Sequence, residues 1–171
     1  MGRERLKNLI RRISIMKWVT PKGVKLDRSA CVWLIKNHID PKAEIGYLNI
    51  NEIPAAVEDG AKAFHNTVSE NGASRERTSF QELLSTNGLN SDPVLSLLGD
   101  IVRGAETKEA GSIEEAEGLR AVAKGTNALV GSDEEMVERM SPVFDALYAY
   151  CKRRVEGHRD WASSERIAAT A

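Results

Sequence analysis

The chain has 171 residues, 42% of them hydrophobic and 29% charged, with a formal net charge of −1. That is enough for one domain with its own core, and the balance excludes a disordered or fibrous chain. No run approaches the roughly 18 apolar residues a membrane span needs, and two distant cysteines, Cys31 and Cys151, exclude a disulfide framework and suggest a reducing compartment.

The small net charge hides an asymmetry. Residues 1–28 hold nine Lys/Arg against two acids, Glu4 and Asp27, a net of +7; the rest of the chain carries −8. An acidic body argues against nucleic-acid binding by this chain alone. Within the basic arm, Leu6, Leu9, Ile10 and Ile13 fall at i, i+3, i+4 and i+7, an amphipathic helix over 3–13. Its plain reading is packing on the body. Its functional reading is a membrane-surface role, or a homodimer or protein partner docked through residues 3–13. A basic N-terminus without an apolar core or cleavage site is no secretory signal, so a cytoplasmic location is expected.

Ile15–Thr20 reads as a first strand, ended by Pro21 and Gly23. Asp27 is placed to cap a helix through about His38, and Asp40-Pro41 closes that helix because the residue before proline avoids the helical region. Ala43–Ile50 reads as a second strand, Ile53–Asp59 as a short helix stopped by Gly60, and Ala61–Phe64 as a third strand. Residues 65–77 are polar and carry Asn71-Gly72, a loop. Ser79 can cap a helix over Phe80–Ser85. Ser91 or Asp92, with Pro93 at the first helical position, starts another to about Val102, stopped by Gly104 and followed by a loop over 105–112. Ser112-Ile-Glu-Glu115 is a capping box for a helix to Leu129. Ser132–Arg154 is the longest helix, which Pro142 should kink or split. The fold expected is α+β: a small three-stranded sheet with several packed helices and a helix-dominated C-terminal half. The division expected is a basic helix over 1–15, a domain over 16–155 and a frayed tail over 156–171.

Lys17-Trp18-Val19-Thr20, then Asp27-Arg28-Ser29-Ala30-Cys31-Val32-Trp33-Leu34-Ile35, then Ile39-Asp40-Pro41-Lys42-Ala43-Glu44 resembles the opening signature of the C-terminal domain of the ChrB-type chromate-resistance proteins. Ser79-Phe80, Ile101-Val102-Arg103-Gly104-Ala105-Glu106-Thr107 and Asp145-Ala146-Leu147-Tyr148-Ala149-Tyr150-Cys151 follow in the same order, so the resemblance covers residues 16–154. It implies a role in resistance to chromate. Full-length members of the family resemble chromate-responsive transcriptional regulators with an added N-terminal domain; this chain has no room for that domain, so DNA binding is not carried over. The family pattern has a His five residues before Cys-Ser-Phe, an Asp after the Phe of the third strand, and an Asp-His-Glu before the last long helix. Here those positions hold Ala73, Thr78, His65 and Glu134. Any metal or oxidant chemistry those family residues carry is lost or rearranged in this chain.

Chromate is a tetrahedral dianion, and binding one calls for Arg or Lys donors and backbone N–H groups at a helix N-terminus. Lys22, Lys25 and Arg28 lie where a helix begins, and Arg103, late in another helix, can reach the same pocket. Asp27 competes there as an anion. The plain alternative has Asp27 capping its helix and Arg28 paired with Glu106 or Asp145, with no ligand. Cys31, one turn after Asp27, would be an activated thiolate beside Arg28; its apolar neighbours Val32–Ile35 favour a small core residue instead. The candidate ligand set is Lys25, Asp27, Arg28, Cys31, Arg103 and Glu106. His38, His65 and His158 show no zinc spacing. His65 with Glu106 or Glu135 can still converge in space, so His65 and Glu135 are candidates for a divalent metal. The leading reading is a domain that binds or senses an oxyanion such as chromate in a stress response. The alternatives are a small metal- or thiol-assisted enzyme on the same scaffold, and a protein-interaction module whose site has decayed.

Overall fold

A computed structural model describes residues 17–65, 77–107 and 113–157. The amphipathic helix expected over 3–13, the Asn71-Gly72 turn, Ala73 and the tail from His158 onward lie outside the described residues.

Three strands, β1 (Lys17–Pro21), β2 (Glu44–Leu48) and β3 (Lys62–Ala63), form one sheet in the order β2-β1-β3. Both pairings are parallel, with Trp18 opposite Ile45 on one side and Lys62 on the other. Parallel neighbours cannot be joined by a hairpin, so each connection crosses a face of the sheet with a helix. Helix α1 (Leu26–Leu34) makes the first crossover and α2 (Ile53–Glu58) the second. Side chains along β1 alternate. Trp18 packs into the main core with Trp33 and Leu34 of α1, while the fully buried Val19 joins Ile53 and Ala61 in a smaller cluster. Helices thus cover both faces, as a parallel sheet requires. The chain is α+β and rich in helix.

Eight of the nine residues of α1 are buried, among them the polar Asp27 and Ser29. It continues into a π-helical turn, Ile35–Ile39, closed by the Asp40 amide on the Ile35 carbonyl at 2.7 Å. Asp40 ends the helix as expected and also accepts from the Trp18 indole at 3.2 Å. Four further helices follow: α3 (Ser79–Thr86), α4 (Pro93–Thr107), α5 (Glu115–Leu129) and α6 (Asp133–Val155). Phe80, Leu98, Ile101, Met136, Met140 and Phe144, each at most 1% exposed, fill the space between them and α1. Trp33 sits in this core with its indole N–H on Asp145 at 2.7 Å. No helix among the described residues is long and apolar enough to cross a membrane.

Four local expectations change. Lys25, not Asp27, occupies the position before α1. Helix α4 runs past Gly104 to Thr107, because Arg120 of α5 donates to the Gly104 and Ala105 carbonyls at 2.6 and 2.7 Å and so serves that end of the helix. Helix α6 is assigned as one helix through Pro142. The proline lies on the exposed face, where water can serve the Glu138 carbonyl it leaves without an amide, while buried Met140 and Phe144 hold both sides. Finally, Glu115 accepts from the Tyr150 hydroxyl and, at 2.7 Å, from Arg154, tying α5 to α6.

Candidate functional site

The strand order turns about β1, and the carboxyl ends of β1 and β3 open where parallel sheets place their ligands. The segments leaving those ends meet at Asp27. Its carboxylate accepts the Ser79 amide at 2.9 Å and the Phe80 amide at 3.0 Å, two of the N–H groups that the start of α3 cannot pair internally. Its own amide donates to Glu106 Oε1 at 2.9 Å. Asp27 therefore caps a helix, but α3 instead of its own. Thr78 supplies the usual cap of α3, accepting the Gln81 amide at 3.3 Å while Gln81 Oε1 accepts the Thr78 amide at 3.4 Å. Ser79, expected as that cap, instead shares a 2.5 Å hydrogen bond with His65 Nδ1, which also lies 4.0 Å from Asp27 Oδ2. His65 has φ +61°, a left-handed backbone that costs a non-glycine residue about 1 kcal/mol. Asp27, Glu106, His65 and Ser79 thus form one hub.

Arg28 points elsewhere. Its guanidinium donates to the carbonyls of Pro21 and Gly23 and, at 3.3 Å, to that of Lys22. Burial pulls its pKa down while Asp133 and Asp27 hold it up. Asp133, at the start of α6, takes the amides of the same loop: Gly23 at 3.1 Å and Val24 at 2.6 Å. The left-handed Gly23, φ +81°, turns these groups apart. Glu106 and Asp145, the acids expected beside Arg28, serve the Asp27 amide and the Trp33 indole.

The remaining candidates separate. Lys25 is exposed. Cys31 is fully buried, and burial, with Asp27 next, pushes its thiol well above its ordinary pKa. Burial likewise pushes Cys151 up to about 11. An activated thiolate is the opposite of what this environment supports. A thiol reagent such as DTNB should therefore leave both cysteines unlabelled in native protein over a time in which both react in denaturant. Fast native labelling of Cys31 would return the thiol to the site. Glu135 lies at the head of α6, accepting the Gly131 amide at 3.0 Å and Arg139 at 2.6 Å, while Glu134 is exposed in the same turn. Among the described residues no group of three or more His, Cys, Asp or Glu is arranged to hold a metal ion. His38 is wedged between the Trp33 and Tyr148 rings, 5.2 and 5.1 Å away, and burial lowers its pKa. It is held toward neutrality and does not act as the helix-ending cation expected.

Arg103 lies in a groove of about 530 Å3 between α3 and α4, lined also by Arg77, Gln81, Ser85, Asn90 and Ser96 over a floor of Leu84. The helices cross closely because residue 99 is glycine: a Cβ there would stand 3.3 Å from Leu84 Cδ1 and 3.5 Å from Gln81 Cγ. Asp100, beside the groove, accepts from Gln81 Nε2 at 3.2 Å. Sequence reading missed Arg77 and His65's tie to Ser79. The Thr78-Ser-Phe-Gln81 capping box was a usable signal for the first, since it puts Arg77 just outside a helix start.

The C-terminal domain model of the ChrB family matches residues 18–151, which contain the hub and the groove entire. The chain belongs to this family. Protein ChrB of Cupriavidus metallidurans is 30% identical over 135 residues, covering 78% of this chain and 40% of that protein. This ChrB-type domain therefore spans about two fifths of the length of its curated relative. No solved structure gives a significant match.

Proposed function

We propose that the chain binds a tetrahedral oxyanion in the Arg77–Arg103 groove, as the binding or sensing step of a response to chromate. Family membership supports a role associated with chromate resistance. The observation that carries the oxyanion reading is the pair of guanidinium side chains that line one groove, with Gln81, Ser85, Asn90 and Ser96 among the other described lining residues and Asp100 beside it on Gln81. Guanidinium groups match oxyanion geometry with paired N–H donors. The start of α1 is the poorer place for a dianion: the carboxylates of Asp27 and Glu106 would repel it, and Arg28 already serves three carbonyls.

The test is a thermal-shift series on the metal-stripped chain with chromate, sulfate and phosphate. A ligand at 100 times its Kd adds about 2.7 kcal/mol to a native state it alone recognises. Tetrahedral anions should raise Tm, and Arg103→Ala should abolish the rise. No response of the unmodified chain to any of the three would sink the reading. Zn2+ and Mn2+ in the same series test the metal-assisted alternative. Stabilisation by a metal alone, lost in His65→Ala, would make the hub the site.

A further inference from the structure

We propose that the groove, beyond a bare oxyanion, takes one carried on a neutral, hydroxylated body, as in a sugar phosphate; this rests on the oxyanion reading above. Size is the first argument. A bare tetrahedral anion is the volume of a few waters, each about 30 Å3 in the liquid, and would leave most of about 530 Å3 to solvent. The space instead falls within the roughly 300–1,000 Å3 of small-molecule sites.

Polarity is the second argument. Gln81 bonds Asp100 and Gly99 faces Phe80, Gln81 and Leu84, and the short segment 87–92 joins the two helices, so α4 turns back along α3. On that arrangement Arg77, just before α3, and Arg103, late in α4, fall toward one end of the groove, and Ser85 and Ser96 toward the end near the 87–92 segment that holds Asn90. Ser96 and Arg103 are seven helical residues apart, about 10 Å along α4. One end is cationic; the other offers hydroxyls and an amide that both donate and accept. Among the described residues no aromatic ring lines the groove, and stacking is what a nucleobase would call for.

Isothermal titration of the full chain with glucose 6-phosphate, inorganic phosphate, glucose and AMP tests this. Glucose 6-phosphate should bind roughly tenfold tighter than inorganic phosphate, the gain from two further hydrogen bonds of ordinary net strength. Glucose alone should not register. Arg103→Ala should lose both phosphates. The double variant Asn90→Ala, Ser96→Ala should lose the preference and keep inorganic phosphate; Asn90 is exposed and Ser96 partly so, and its melting curve checks that it folds. Equal affinity for glucose 6-phosphate and inorganic phosphate would overturn the inference while the oxyanion reading stands. AMP binding tighter than glucose 6-phosphate would overturn the sugar assignment. Binding of none of them would remove both readings.

Discussion

Asp27→Ala is expected to lower stability by about 3 kcal/mol, from the loss of two charge-assisted bonds and a helix cap. At this chain length that is a fall in Tm of roughly 6–12 °C. The carboxylate is 12% exposed, so water cannot readily replace it. Its loss leaves the Ser79 and Phe80 amides, at 2.9 and 3.0 Å, without an acceptor in a buried place. It also removes the negative charge that complements the N-terminal end of the α3 dipole. Asp27→Asn keeps an acceptor oxygen but not the charge, and should cost about half as much. Thermal and urea denaturation measure both. A midpoint for Asp27→Ala within 2 °C of the unmodified chain, about the shift from a fraction of a kcal/mol, would mean that α3 is held by its packing alone.

Arg28→Ala is expected to cost about 2 kcal/mol and to leave anion affinity unchanged. The loop between β1 and α1 shows why. Its carbonyls at Pro21, Lys22 and Gly23 are served by Arg28, and its amides at Gly23 and Val24 by Asp133. Backbone polar groups in a half-buried loop need partners, and one cation and one anion supply them from opposite sides. Arg28→Lys should recover only part of the loss, because an ammonium cannot fork across several carbonyls as a guanidinium does. Arg28→Ala and Asp133→Ala together should destabilise by an amount different from the sum of the single effects, since both act on one loop. Denaturation of the four proteins gives the coupling, and titration with sulfate gives the affinity. A loss of sulfate affinity in Arg28→Ala at unchanged stability would return the anion site to the start of α1.

Local pattern was enough for most elements. The Pro21 and Gly23 stop located β1, the spacing of Ile45, Tyr47 and Leu48 located β2, and helical spacing with Ser132 and Pro93 located α6 and α4. Trp18 and Trp33, two residues of the family signature, lie in the core, 3% and 2% exposed. The ordered motifs from Trp18 to Cys151 were enough to place the chain in its family. These features are legible because strand and helix periods, caps and turn residues act over a few neighbours.

The errors share a cause. Gly104 ends no helix because Arg120, from another helix, serves the carbonyls there. Pro142 splits no helix because buried neighbours outweigh a local penalty. Asp27 has a capping residue's chemistry, yet the amides it accepts lie 52 and 53 residues away. Glu106 reaches the same hub from 79 residues away. Arg77 and Arg103 become neighbours only when Gly99 lets α3 and α4 close. The sequence by itself determined most of the elements and the family, since those follow from short-range periodicity, turn and cap residues, and the order of motifs. Only the tertiary structure decided which unpaired amides each carboxylate meets and which arginines share a groove, because a polar side chain binds the partner that packing brings within about 3 Å, whatever its distance along the chain.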